Sequence, residues 1–138
     1  MTIEGGVLVI HCADPRYQGA FHDFLRRDLN LEHYALVAVP GGPQFLTTAE
    51  YLPKFAWTGW RWMKFLGKLS PVSRVVLIAH DDCRWYYEMR LFQGAVPKQK
   101  QVEDLHQVAS ACKERFESAK VECWFARLEG GRATFESV

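Results

Sequence analysis

The chain has 138 residues, of which 49% are hydrophobic and 24% are charged, and its formal net charge is +1. This length suits one domain over residues 1–138, and this composition excludes a disordered chain. Because basic and acidic residues are interspersed and no apolar run reaches about 20 residues, we expect neither a nucleic-acid nor a membrane partner. The N-terminus, MTIEGGVLVI, lacks a basic leader, which predicts a cytoplasmic protein whose four cysteines are thiols or ligands.

The first half of the chain alternates between strand and helix patterns. Val7–Cys12 is a continuous apolar run rich in β-branched residues, typical of a parallel strand covered on both faces. Apolar residues at helical spacing predict a helix over 17–29, and a second buried strand follows over 34–40. The next helix is expected to be capped by Thr47 or Thr48, to start at Tyr51 and to run to about residue 69, with Pro53 in its first turn.

The second half continues this alternation and then ends in a hairpin. A third buried strand is predicted over 73–80, followed by an aromatic helical turn over 84–92. Leu105, Val108, Cys112 and neighbouring apolar residues predict an amphipathic helix over 102–119. Two strand patterns, 121–129 and 132–138, flank a Gly-Gly pair, which indicates a tight antiparallel turn.

Together these elements predict an α/β fold with a mostly parallel sheet of about five strands. We expect the order 2-1-3-4, with an antiparallel edge strand 5 and helices on both faces. Sites in such sheets lie at the carboxyl ends of the strands, where the strand order reverses. Cys12 ends the first strand and His80 ends the third, so both residues are expected beside this crevice.

Three side chains at these strand ends form a candidate metal site. Cys12, His80 and Cys83 supply two thiolates and one imidazole, a set suited to a tetrahedral zinc ion with one place left over. Each residue alone is more typical of a buried thiol or of a histidine that is hydrogen-bonded within the core. Their coincidence at two adjoining strand ends favours a metal.

The sequence around these ligands resembles a known family. CADPR, from Cys12 to Arg16, resembles the Cys-x-Asp-x-Arg motif of the β-class carbonic anhydrases, and HDDC, from His80 to Cys83, resembles their His-x-x-Cys motif. The order of elements is also similar from Val7 to the end of the chain. The chain therefore resembles a small, divergent member of that family.

The resemblance implies a zinc ion held by Cys12, His80 and Cys83, and a catalytic pair formed by Asp14 and Arg16. In such enzymes the Asp accepts a hydrogen bond from zinc-bound water, and the Arg holds the Asp away from the metal. The implied function is a zinc-dependent hydro-lyase, with zinc-bound hydroxide attacking CO2 or a related small substrate such as COS or CS2. An alternative interpretation of Asp14-Pro15-Arg16 is the start of a helix, with Asp14 as its cap.

Departures from the family pattern leave other functions open. Ala38 and Val39 stand where the family has a loop Arg and Asn, and Arg84 replaces the glycine that follows the second Cys of the motif. The first strand is predicted to begin at Val7, without the N-terminal helices that the family has. These changes favour a catalytically silent zinc-binding or regulatory module on the same fold. A further alternative is a metal-free protein that binds a small anion near Arg16 and Arg84.

Some aromatic, histidine and cysteine residues remain outside this site. Apolar residues lie nearly all round the helix at 55–66, which predicts a homodimer surface there, unless the aromatic segment 84–92 covers it. His11 is expected behind the site, with a role as proton shuttle left open. Core thiols are expected at positions 112 and 123, and surface histidines at 22, 33 and 106.

Overall fold

The fold is known from a computed structural model that describes residues 4–47, 53–89 and 98–138. Its strands and helices follow one another in the predicted order. The five strands are β1 (Val7–Cys12), β2 (Ala35–Val39), β3 (Arg74–His80), β4 (Lys120–Glu129) and β5 (Arg132–Ser137). The four α-helices are α1 (Gln18–Asp23), α2 (Pro53–Leu69), α3 (Arg84–Glu88) and α4 (Lys98–Arg115).

The sheet confirms the predicted topology. Its strand order is β2-β1-β3-β4-β5, and all neighbours are parallel except β4 and β5. The last two strands join through Gly130 and Gly131, which both have positive φ, as the tight turn requires. β1 and β3 are therefore neighbours, with Ile10 opposite Leu77. The carboxyl ends of these two strands lie side by side.

Helices cover both faces of the sheet, as expected. Alternate residues of β1 and β3 point to opposite faces, because side chains alternate along a strand. Leu8, Ile10, Val75 and Leu77 belong to the core under α2 and α4, and Val7, Val9, Val76 and Ile78 belong to the core under α1. Both strands are therefore apolar without interruption until they reach the crevice.

Several predicted element boundaries differ from the structure. The helix predicted over 17–29 is α-helical only to Asp23 and continues as a π-helical segment, Phe24–Asp28, in which the Leu29 amide donates to the Phe24 carbonyl. Helix α4 begins four residues earlier than predicted and also ends four earlier. Its first turn is held by polar i,i+4 pairs, such as Lys100 with Asp104, which apolar periodicity does not reveal.

Helix α2 ends at Leu69, as predicted, but the structure gives a different account of what precedes it. Thr47 is not its cap: it ends a separate 3₁₀ segment, Gly42–Thr47, in which its hydroxyl donates to the Gln44 carbonyl. The predicted start at Tyr51 and the alternative cap Thr48 lie outside the described residues, as do residues 90–92 of the aromatic segment. No helix within the described ranges is both long and apolar enough to cross a bilayer.

One glycine fixes how closely the loop after β2 approaches the end of β1. Gly42 has φ +58°, and a Cβ atom there would lie 2.9 Å from the Cys12 amide nitrogen. Gly130 has a similar φ, +56°, but a Cβ atom there would meet nothing within 4 Å. The two glycines share a backbone conformation and differ in the space around them.

We expect Gly42→Ala to destabilise the protein more than Gly130→Ala. Both variants place a side chain in the left-handed region, at a cost of about 1–2 kcal/mol. Only Gly42→Ala also forces its Cβ against backbone, which adds about 1–3 kcal/mol. Urea unfolding of both variants measures the difference, and equal free energies of unfolding would contradict it.

Candidate metal centre

The three predicted ligands converge at the carboxyl ends of β1 and β3. Cys12 is the last residue of β1, His80 is the last residue of β3, and Cys83 caps α3 three residues later. All three are buried, and one ligand atom from each lies within 4.8 Å of the others. The two sulfurs are 4.0 Å apart, so both can lie about 2.3 Å from one ion. This cluster could hold a metal ion.

The His80 ring is oriented as a metal ligand would be. Its Nδ1 lies 2.8 Å from the Asp81 carbonyl oxygen, which can only accept a hydrogen bond, so Nδ1 carries the proton. Its Nε2 is buried and has no hydrogen-bond partner within the described residues. A buried nitrogen lone pair without a partner is unfavourable unless a ligand occupies it. An ion between the two cysteines would satisfy it.

Without metal, the two thiols share their protons unequally. The hydrogen bond with Cys83, together with nearby His80, lowers the pKa of Cys12. The same pairing and burial raise the pKa of Cys83. The Gly41 amide also donates to the Cys12 sulfur, at 3.3 Å. The lowered pKa favours the thiolate form of Cys12, which is the form that binds metals.

Asp14 and Arg16 form a tightly paired dyad at the edge of this cluster. The Arg16 side chain donates to both Asp14 carboxylate oxygens, with the shortest contact, from Nη2 to Oδ2, at 2.7 Å. This pairing lowers the pKa of Asp14 below its ordinary value and raises that of Arg16. Asp14 Oδ2 lies 3.8 Å from His80 Nε2. An ionised carboxylate thus lies beside the candidate metal position.

The same stretch forms a turn before α1, whose N-cap is Tyr17 and not, as the alternative interpretation had it, Asp14. Asp14 Oδ1 accepts a hydrogen bond from the Arg16 amide at 2.9 Å, and the Tyr17 amide donates to the Asp14 carbonyl at 3.2 Å. One Asp14 side chain therefore both caps this turn and faces the cluster.

The open side of the cluster is a mostly apolar pocket of about 590 Å³. Pro15, Pro40 and Trp85 form its walls next to Cys12. Charged side chains, Arg16 and Arg84 among them, stand at its rim. Arg84 forms an ion pair with Asp82, with Arg84 Nη2 3.1 Å from Asp82 Oδ2.

The other histidines and cysteines of the chain are not members of the metal cluster. His11 is buried, its Nδ1 lies 2.9 Å from the Cys12 carbonyl oxygen, and its ring packs on Phe21 with the ring centroids 4.4 Å apart. Burial lowers its pKa. Cys112 and Cys123 are core thiols, as predicted, and burial raises their pKa values to about 12 and about 11. The other three histidines are exposed, as predicted: His22, His33 and His106.

Two contacts at the site were not predicted from the sequence. Asp82 accepts from Arg16, and the Gly41 amide donates to Cys12. The HDDC motif places Asp82 next to Cys83, but sequence spacing alone does not reveal which way its side chain turns. The Gly41 contact is made by backbone, so no side-chain pattern signals it.

Comparison with known proteins supports the fold. The structure is similar to the carbonic anhydrase from Glaciozyma antarctica, with a TM-score of 0.59, 14% identity, and coverage of 98% of this chain and 83% of that one. It is also similar to the carbonic anhydrase from Streptococcus mutans, with a TM-score of 0.53, 12% identity, and coverage of 97% of this chain and 82% of that one. No family model and no curated protein matches the sequence. The chain has a β-carbonic-anhydrase-like fold, which confirms the fold that the resemblance implied.

Proposed function

We propose that this chain is a zinc-dependent hydro-lyase that hydrates CO2 or a closely related small molecule such as COS or CS2. The observation that carries the proposal is the convergence of Cys12, His80 and Cys83, with an Asp14 carboxylate 3.8 Å from the free nitrogen of His80. The similarity of the fold to two carbonic anhydrases supports the same reaction.

The donor set fits zinc. Two cysteine sulfurs and one imidazole nitrogen are common zinc ligands, and three protein ligands leave a fourth position open, as in catalytic zinc sites. The unpartnered His80 Nε2 is the atom that zinc would satisfy. Bound zinc would lower the pKa of a coordinated water to about 7 and so supply hydroxide at neutral pH.

We assign Asp14 and Arg16 to the chemistry beside the metal. The ionised Asp14 carboxylate can accept a hydrogen bond from a reacting water and so orient it. Arg16 keeps that carboxylate ionised and fixed through three side-chain contacts. Positioning of this kind is worth several orders of magnitude in rate, because the reacting groups are held in place before the reaction.

The pocket suits a small, neutral substrate. Its walls next to Cys12 are apolar, so an uncharged linear molecule loses little solvation on entering. The charged residues that line it carry both signs and balance one another: Asp14, Arg16, Arg84 and Glu88. Apolar walls of this kind suit CO2 as the substrate.

The direct test is stopped-flow CO2 hydration against zinc content. We expect about one zinc per chain, activity in proportion to zinc, and loss of both when a chelator removes the metal. Recovery on adding zinc back would exclude irreversible unfolding. A metal-free chain with full activity would contradict the proposal.

A silent zinc-binding module is the second candidate. It is favoured by Ala38 and Val39, which lack the hydrogen-bonding side chains of the loop that they resemble. Full zinc occupancy without hydration of CO2, COS or CS2 would support this candidate over the enzyme.

We also propose that a second copy of the chain covers part of α2. Four large aromatic residues on this helix are 46–64% exposed: Phe55, Trp57, Trp62 and Phe65. Trp85 of α3 reaches this surface, and with Phe55 and Trp62 it lines an apolar groove of about 350 Å³. Trp85 and Pro40 line both this groove and the pocket beside Cys12, so a partner seated in the groove would border the candidate active site.

The oligomeric state tests this surface. We expect sedimentation of a dimer that Trp62→Glu converts to a monomer, because the variant places a charge at the apolar contact. Leu128→Glu is the control, since Leu128 is an exposed apolar residue on β4, away from the groove. A dimer that survives Trp62→Glu would contradict this assignment.

We place the protein in a reducing, cytoplasmic compartment. All four cysteines are free thiols. Cys12 and Cys83 must remain reduced to bind a metal, and glutathione keeps cytosolic thiols in that form.

A further inference from the structure

Asp82 is a second aspartate that binds the Arg16 side chain. Arg16 Nη1 donates to Asp82 Oδ2 at 3.1 Å, and Arg16 Nη2 donates to the Asp82 carbonyl oxygen at 2.9 Å. Arg16 Nε and Nη2 donate to Asp14. The Arg16 side chain is thus fixed between two aspartates that lie 68 residues apart in the chain.

The backbone of Asp82 is arranged for this contact. Its φ is +55°, and Asn30 is the other non-glycine residue with positive φ in the described ranges. The left-handed region is costly for most residues, but Asp and Asn tolerate it. This conformation lets the loop between His80 and Cys83 present both the carboxylate and the carbonyl oxygen of Asp82 to Arg16.

Two further side chains hold the Asp82 carboxylate. Arg84 Nη2 lies 3.1 Å from Oδ2, and the Tyr87 hydroxyl donates to Oδ1 at 3.4 Å. Asp14, Arg16, Asp82 and Arg84 therefore form a chain of alternating charge that sums to zero. An isolated exposed ion pair contributes little to the stability of a protein, because its partners are solvated and flexible. In a network, each member is restrained by more than one partner.

We infer that Asp82 is a positioning residue: it fixes Arg16, and through Arg16 it keeps the Asp14 carboxylate beside the metal position instead of on it. The inference rests on the proposed zinc site. Asp14 Oδ2 is only 3.8 Å from His80 Nε2, so a small movement would bring this carboxylate into the fourth position of the ion. The Arg16 side chain is 42% exposed, and without the Asp82 carboxylate it would keep one of its two ion pairs among the described residues, that with Asp14.

The neighbouring aspartate provides a matched control. Asp81 is exposed, and its carboxylate makes no hydrogen bond or ion pair with the described residues. Asp81→Asn and Asp82→Asn therefore remove the same charge from the same loop, and only the second removes an ion pair with Arg16. Because Asn also tolerates positive φ, Asp82→Asn is expected to fold.

The first measurement uses the metal-free protein. We expect the ¹H–¹⁵N order parameter of the Arg16 Nε–H group to fall from about 0.8 to below about 0.6 in Asp82→Asn, and to stay unchanged in Asp81→Asn. Arg74, whose Nε–H donates to Glu122 at 3.0 Å, is the internal reference. An Arg16 group that stays rigid in Asp82→Asn, or loosens equally in both variants, would overturn the inference.

The second measurement follows azide binding to the cobalt-substituted protein by visible absorption. We expect Asp82→Asn to weaken azide binding about tenfold, because a released Asp14 competes for the open position. The double variant Asp14→Asn/Asp82→Asn should regain the affinity of Asp14→Asn alone. No loss in Asp82→Asn, or no recovery in the double variant, would overturn the inference. A zinc-loaded chain that hydrates no CO2 would instead overturn the proposed reaction, while the metal-free measurement on Arg16 would still decide the role of Asp82.

Discussion

Cys12→Ser is expected to lower zinc affinity by more than about a hundredfold. A residue that only supports a ligand already contributes about 10–100-fold, and a direct ligand contributes more. The hydroxyl of serine stays protonated at neutral pH and is a poor zinc ligand. The variant also removes the sulfur that lies 4.0 Å from Cys83 and accepts from the Gly41 amide. Competition with a chromogenic chelator measures the affinity.

The matched control for this variant is Cys112→Ala. Cys112 is a fully buried thiol on the core-facing side of α4 and lies outside the metal cluster. We expect it to bind zinc like the parent chain, although its truncation lowers stability somewhat. Equal zinc affinity in Cys12→Ser and the parent chain would remove Cys12 from the metal site and, with it, the proposed mechanism.

Asp14→Asn is expected to lower kcat/KM for CO2 hydration by about a hundredfold or more while zinc stays bound. Proton acceptors positioned at a reacting group contribute typically 10²–10⁴-fold, and the amide of Asn has no negative charge to orient a reacting water. Asn retains the size of Asp and an oxygen that can accept from Arg16, so the loop should keep its shape. Zinc analysis of the same preparation separates loss of catalysis from loss of metal.

A second carboxylate variant controls for the charge change. Asp81→Asn removes one negative charge from the same edge of the sheet, two residues from Cys83. We expect it to retain parental activity. Parental activity in Asp14→Asn would show that this carboxylate takes no part in the reaction.

The strands and the ligand cluster could be predicted from the sequence because their signals are local. A strand buried on both faces is apolar along its whole length, so Val7–Cys12 was predicted with the bounds that the structure has. The position of His80 followed from the end of a similar run. Topology rules then made β1 and β3 neighbours, and this adjacency brings Cys12 and His80 together.

The contacts that hold the site could not be predicted in the same way. The role of Asp82 depends on a left-handed backbone that Asp adopts only in certain turns, and the sequence HDDC does not say which aspartate turns inward. Helix α4 starts early because polar pairs stabilise its first turn, and these pairs leave no apolar periodicity. Local pattern thus locates the ligands, whereas tertiary contacts decide how their neighbours are held.

The separation of the two cysteine ligands along the chain has a consequence for folding. Cys12 and Cys83 are 71 residues apart, so an ion held between them closes a loop that includes β2, α2 and β3. A covalent cross-link over such a span would remove about 4 kcal/mol of unfolded-state entropy. Metal coordination that survives only in the native chain acts in the same direction. The ion would therefore cross-link the segment that ends β1 to the segment that follows β3. We expect the melting temperature of the chain to rise with zinc concentration, whether or not the chain is an enzyme.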